Sequence, residues 1–315
     1  MPPRYLHQHD EFKDLIRITA RDHKINEPAL VEKDYWIMHV LYGLKRQAFR
    51  FELKGGTSLS KGFGIIDRFS EDIDIRIEPP ADLGVKTGKN QDKKAHVESR
   101  KRFYDWLARE ISIPGIVQVE RDHEFDNKDF WSAGIRLHYD SHFEAVAGLK
   151  PGVLLEVGFD KTTPNMQTDI SSWAYERAKG VAQGIIDNRA LEICCYDPHY
   201  TFVEKLQTVV KKYKHFEETG KLDGNFLRHY YDIFKLIDRP EIQEFIGTAE
   251  YLAHKGDRFK SLEKDLRKTN AFILSPDEIL KKFEEEYGRT GALYYKDRPT
   301  LLEILAAIKP HLDRL

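Results

Sequence analysis

"KGGTSLSKGFGIIDRFSEDIDI", residues 54–75, sets two adjacent glycines and two hydroxyls ahead of an Asp-Ile-Asp run. Two acids in an apolar strand are costly to bury unless a cation meets them. Asp72 and Asp74 are two apart, so on a strand their carboxylates emerge from one face. Oxygen ligands at that spacing suit a hard divalent cation, Mg2+ first with Mn2+ as its substitute, which binds carboxylates together with substrate phosphates. Upstream, Gly55-Gly56-Thr57-Ser58 falls between an expected strand (Phe49–Leu53) and an expected helix (Ser58–Ile66). Backbone N–H groups at a helix start hold phosphate oxygens, and glycine lets the backbone come close. Ser58 reads as a phosphate or metal-shell hydroxyl, and Lys61, one turn in, is placed to reach phosphate. Taken singly, a Gly-Gly-Thr-Ser is a tight turn and an Asp-x-Asp a solvated strand face. Their joint occurrence in strand–turn–helix–strand order points to an NTP site.

A third acid is supplied by "GVLLEVGFD", where Glu156 stands between Leu155 and Val157. A glutamate buried in mid-strand is expensive without a partner, which favours a metal role beside Asp72 and Asp74. Asp160, at the strand end, competes for that role. Glu71 alternates to the opposite face and reads as a surface residue.

With 315 residues, 41% of them hydrophobic, the chain can bury one large core or two smaller ones. Charged residues make up 32% but the net charge is −2, so any nucleic-acid-binding surface must be local. Such a run exists from Lys86 to Arg102, with Lys86, Lys89, Lys93, Lys94, Arg100, Lys101 and Arg102 against Asp92 and Glu98. Lys93, Lys94, Arg100 and Lys101 are its candidates for RNA-backbone contact, against a plain solvated face. Cys194 and Cys195 are adjacent and suit neither a disulfide framework nor a zinc site. With no signal-peptide core and no apolar run of membrane-spanning length, a cytoplasmic protein without a membrane partner is expected.

Helical spacing of apolar residues covers Glu11–Arg21 and Glu27–Lys45, and further strands are expected at Asp72–Ile77, Ile116–Glu120, Ser132–Tyr139 and Val153–Phe159. Beyond "YDPHYTF" the pattern is helical, at Thr201–Phe216, Asn225–Asp238, Ile242–Lys255, Pro276–Tyr287 and Thr300–Arg314. The expectation is an α+β fold with a mixed sheet in a domain over 1–195 and a helical domain over 196–315 that closes the active-site cleft.

Gly55, Gly56, Thr57, Leu59, Lys61, Arg68, Ser70, Asp72 and Asp74 match a "GGT-x-L-x-K … R-x-S-x-D-h-D-h" run. That run resembles the nucleotidyltransferase superfamily typified by DNA polymerase β and, more closely, the AbiEii/AbiGii toxin family. The family's upstream "EKD" is matched by Glu32, Lys33 and Asp34, and its later helices by Lys205-Leu206 and by Arg228, His229, Tyr231, Asp232 and Ile233. His229 departs from a common aspartate, Lys212 from a common arginine, and fifteen residues separate Gly56 from Asp72. On composition alone Lys205 and Asp232 are solvated or paired. The resemblance implies that Lys205 meets the nucleotide phosphates with Asp232 orienting it, and that Arg68 and Ser70 belong to the nucleotide-binding set. It also implies transfer of a nucleoside monophosphate to an RNA, a tRNA 3′ end, by a toxin neutralised by a separately encoded antitoxin. Transfer to a protein side chain or to a small molecule such as an aminoglycoside stays open. A binding module without turnover also stays open, although retention of both aspartates argues against it.

Overall fold

The structure, a computed structural model, describes residues 2–88, 90–146, 148–260, 264–296 and 298–315. Lys89 of the basic run lies outside them. The chain divides into two compact units: Met1–Phe63 with Phe69–Tyr196, and Gly64–Arg68 with Asp197–Leu315.

The first unit is built around a mixed sheet. Its strands are β1 (Phe51–Lys54), β2 (Asp72–Ile77), β3 (Ile116–Asp122), β4 (Ser132–Tyr139), β5 (Val153–Gly158), β6 (Asn165–Ile170) and β7 (Ala190–Tyr196), in the order β3-β4-β5-β2-β1-β7-β6. β2 runs parallel to β5 and β1 parallel to β7, while the other neighbours are antiparallel. β2 alternates half-buried Asp72, Asp74 and Arg76 with buried Ile73, Ile75 and Ile77, so the acids share one face. Helices α1 (Phe12–Asp22), α2 (Pro28–Arg46), α4 (Lys94–Glu110) and α5 (Trp173–Ala178) pack with it, and the three-residue α3 (Gly55–Thr57) leads into a π-helical turn at Ser58–Gly62. That turn ends four residues short of the helix expected to Ile66. α2 is buried on nearly all sides from Ala29 to Leu44, which makes it the central helix of this unit.

β6, α5 and β7 were not expected from the sequence. β6 buries only Ile170, and β7 carries Glu192 at φ +51 beside a register shift between Thr168 and Ile170. An irregular edge pair erases the alternation that marks a strand.

The second unit is helical, with α6 (Pro198–Thr219), α7 (Arg228–Ile237), α8 (Pro240–Phe245), α9 (Ala249–Arg258), α10 (Asp277–Arg289) and α11 (Leu301–Ile308). The single helix expected over Ile242–Lys255 is two. Gly247 takes φ +92 and the Thr248 side chain caps α9 by accepting from the Tyr251 N–H. The last helix stops at Ile308, followed by a 3-10 turn containing Pro310. Gly64–Arg68, expected within the first domain, packs with this unit. The Arg68 backbone bridges Tyr294, the Asp67 N–H donates to the Tyr231 hydroxyl at 3.1 Å, and Asp67 meets Lys235 and Lys296 at 3.0 and 2.6 Å. No helix among the described residues is long and apolar enough to cross a membrane.

Candidate active site

Asp72, Asp74 and Glu156 come together across two strands. Asp74 and Glu156 are direct partners in the parallel β2–β5 register, and Asp74 also faces Lys54 of β1. Gly55 stands where the chain leaves β1, at φ +75. A Cβ there would overlap the Asp74 carboxylate, so glycine is required for the close approach as well as for the left-handed backbone. Burial, then repulsion from Asp74 and Asp72, pushes the Glu156 carboxyl up to about 8. Burial also raises Asp72, despite Lys150, whose ammonium sits 2.9 Å from its Oδ2. Asp160, the competing acid, is half-exposed, with its carboxylate 4.0 Å from Lys54.

These residues fit a divalent cation on two observations. Asp72 Oδ1 is buried without a hydrogen-bond partner among the described residues, and the charges of Asp74 and Asp72 raise the protonation of Glu156. They are not closed into a cage: among the described residues no group of three His, Cys, Asp or Glu is poised around a metal. Mutual repulsion and the Lys150 ion pair account for the open arrangement. Two cavities lie elsewhere. One of 350 Å³ is lined by Arg50, Glu52, Arg76 and Glu78 among others, and one of 580 Å³ lies between α4 and β3. Neither holds the acid pair.

The hydroxyls and lysine of the opening stretch are used differently than expected. The Thr57 hydroxyl donates to the Asp72 carbonyl at 2.6 Å, tying the turn to β2. Ser58 is fully buried beside Cys195, sealed from a phosphate. Lys61 reaches Asp34 at 2.6 Å with its ammonium 3.9 Å from the centre of the Trp173 ring, so it is a structural cation and not a phosphate ligand here. Burial moves Asp34 up and Lys61 down, each against the pull of the other's charge. Ser70 is half-buried, and Gly56 is buried in α3.

Glu71, expected at the surface, is 3% exposed. Its carboxylate lies 3.5 Å from Lys33 of α2, and burial lowers that lysine to about 8. Glu32, Lys33 and Asp34 are all buried, and each holds a different segment. Glu32 accepts from Ser141 Oγ and the His142 N–H, Lys33 donates to the Lys150 carbonyl, and Asp34 accepts from the Trp173 N–H. Successive helix positions point about 100° apart, so three adjacent charges can serve three loops. Nothing in the spacing of the sequence marked Lys150 or the burial of Glu71.

In the second unit Asp232 is fully buried between two cations. Arg68 donates to it through Nε and Nη2, both at 2.7 Å, and Lys205 Nζ lies at 2.9 Å. Those charges hold the Asp232 carboxyl far below the usual carboxylate range even though burial opposes them. His229 Nδ1 is 3.8 Å from the same carboxylate, and burial keeps the ring neutral. Arg68 is therefore built into this cluster, and sequence reasoning gave no sign that Arg68 and Asp232 would meet.

The basic run separates into two kinds of residue. Lys93, Lys94 and Lys101 are exposed. Arg100 is completely buried and donates to the carbonyls of Asp129, Lys86 and Gln91 while lying 3.9 Å from the centre of the Trp131 ring. It is corrected from an RNA contact to an anchor, its guanidinium held by backbone oxygens through Nε and Nη1. α4 packs on β3 and β4, on the far side of β5 from the acid strand.

A strand, a glycine turn, and a strand carrying two acids with a third acid alongside define the nucleotidyltransferase class. The family model described as nucleotidyl transferase AbiEii toxin, type IV TA system, matches residues 39–307. The chain belongs to that family and is a nucleotidyltransferase. A solved structure similar to it is an antigenic nucleotidyltransferase-like protein from Paracoccidioides brasiliensis, at 13% identity and a TM-score of 0.35, covering 72% of this chain and 87% of that one. No curated protein matches.

Proposed function

We propose that the enzyme moves a nucleoside monophosphate from an NTP to the 3′ hydroxyl of an RNA, with tRNA as the acceptor, and that it does so as the toxin of a toxin–antitoxin pair. The acceptor hydroxyl gives its proton to solvent as its oxygen bonds to the α-phosphorus, the bond from that phosphorus to the bridging oxygen breaks, and pyrophosphate leaves. The observation that carries the reading is the Asp72–Asp74–Glu156 cluster against the Gly55 turn. Asp72, Asp74 and Glu156 are the residues to hold Mg2+ or Mn2+, which when bound supplies charge neutralisation at the triphosphate. Asp72 offers an unpartnered oxygen, Asp74 is fixed by its packing on Gly55, and Glu156 holds a proton at neutral pH that it gives up when positive charge arrives. Lys205, its ammonium fixed by Asp232, is the group we assign to phosphate charge, and Arg68 keeps Asp232 oriented. Family membership supports the NTP substrate and the antitoxin partner. The exposed Lys93, Lys94 and Lys101 support an RNA acceptor.

The test is incubation with NTPs labelled at the α-phosphate together with total RNA, protein extract or small acceptors including an aminoglycoside. Label should enter RNA of tRNA size, and Asp72→Asn and Asp74→Asn should abolish it. Label on protein or a small molecule with RNA unlabelled would overturn the acceptor and leave nucleotidyl transfer standing.

A further inference from the structure

Lys150 sits in the loop between β4 and β5, in "GLKPG", and the nucleotidyl-transfer chemistry described above makes no use of it. Both polar groups of its backbone are held by one buried ion pair. Its N–H donates to Glu71 Oε2 at 3.0 Å and its carbonyl accepts from Lys33 Nζ at 2.6 Å, while Lys33 and Glu71 are 3.5 Å apart. Lys33 and Glu71 are 1% and 3% exposed, so the clamp is rigid and shielded from salt. From that fixed backbone the side chain lies 4.7 Å from the centre of the Phe125 ring and sets its ammonium 2.9 Å from Asp72 Oδ2. Glu156 feels the same charge, together with that of Lys54.

A loop lysine has four rotatable bonds and in free solution would not stay on one carboxylate. Fixing its N–H and C=O anchors the root of the side chain, and the Phe125 ring and Asp72 then hold its ammonium against the acid cluster at close range. We propose that Lys150 is the resident counter-cation of the Asp72–Asp74–Glu156 cluster: its ammonium holds the strand acids assembled in the metal-free enzyme and must leave Asp72 when a divalent cation binds, with Lys33 and Glu71 as the positioning residues that place it. The proposal rests on the acid cluster being the cation site. It accounts for an acid cluster that is assembled but not closed into a cage. Lysine suits this role better than arginine, because a compact ammonium makes one displaceable contact where a guanidinium would make a fork.

The experiment is titration of the apo enzyme with Mn2+ alone, without nucleotide, following free Mn2+ by its EPR signal. Lys150→Met removes the competing charge and keeps the chain length, so Mn2+ should bind about tenfold tighter, the change expected from a unit charge withdrawn at this range. Lys150→Arg should bind Mn2+ no tighter than the wild type. Unchanged or weaker binding by Lys150→Met overturns the counter-cation. Asp74→Asn separates the two levels: if it binds Mn2+ as the wild type does, the acid cluster is not the cation site and both readings fall. The clamp is read independently by amide exchange. The Lys150 amide should be protected in the wild type and lose at least about tenfold of its protection in Glu71→Ala. Exchange of that amide at the solvent rate in the wild type overturns the positioning role of Lys33 and Glu71.

Discussion

Replacing Asp232 with Asn withdraws one negative charge from between two cations that have almost no other access to water. Arg68 is 4% exposed through its side chain, Lys205 is 8% exposed and Asp232 is not exposed at all. Removing one member of a buried ion pair costs about 3–5 kcal/mol, because the partner charge is left desolvated. Arg68 cannot shed its proton, so its guanidinium stays charged and desolvated in the variant. A chain of this size loses about 2–4 °C of melting temperature per kcal/mol, and Asp232→Asn should therefore lower it by about 10 °C. Lys205→Met leaves Asp232 paired to Arg68 by two 2.7 Å hydrogen bonds and should cost about 1 kcal/mol or less while abolishing transfer. Arg68→Met combined with Asp232→Asn should recover at least about 2 kcal/mol relative to the sum of the single changes. The pH dependence has a fixed sign. The Asp232 carboxyl is held below its unfolded value, so its stabilisation is complete above the ordinary carboxylate range and is lost as the pH falls through and below it. Thermal unfolding from pH 8 down to pH 3, with transfer assayed on the same samples, reads the mutant differences and the onset of that acid loss. Equal melting temperatures for Asp232→Asn and the wild type at pH 7 would refute the buried-triad reasoning.

Glu156 titrates the other way. Held up at about 8, it destabilises the metal-free fold increasingly as the pH rises from its unfolded value toward 8, so Glu156→Gln should raise the melting temperature much more at pH 8.5 than at pH 5. Equal effects at the two pH values would remove the repulsion argument. His39, its Nε2 on the Pro114 carbonyl and its Nδ1 on Asn188, is kept neutral to about 4, and His7 beside it to about 3. Their folded values are depressed, so their stabilisation is complete above pH 6.5 and drains as the pH falls toward 4. His39→Gln should flatten the acid limb by roughly 2 kcal/mol at pH 5, and an unchanged acid limb would count against burial as the cause. Joint replacement of Lys93, Lys94 and Lys101 by Gln should raise the KM for RNA and lower its salt slope by about three phosphates' worth, with the KM for NTP unchanged. A salt slope equal to that of the wild type would assign the RNA contact to another surface.

The sequence by itself determined the features that local periodicity and local chemistry encode. Asp72 and Asp74 alternate with isoleucines, which puts both acids on one face before any neighbour is known. The Gly-Gly turn announced a close approach, and Glu156 in an apolar strand announced a place beside the acid pair, where the β2–β5 register sets it against Asp74. Tertiary structure alone decided which cations those acids meet. Lys61 and Lys150 look alike in the sequence, yet one is taken by Asp34 of α2 and the other by Asp72 of β2, because the contacts that place them link residues 27 and 78 positions apart. Arg100 and Lys101 are neighbours in one basic run, and the 100° step of the helix sends the first into the carbonyls around Trp131 and the second to solvent. Glu71 stands on the opposite face from Asp72, and only the packing of α2 there turned a surface position into a buried one. Periodicity tells which face a side chain takes; what covers that face is set by distant parts of the chain, and in this protein that is where the ion pairs were decided.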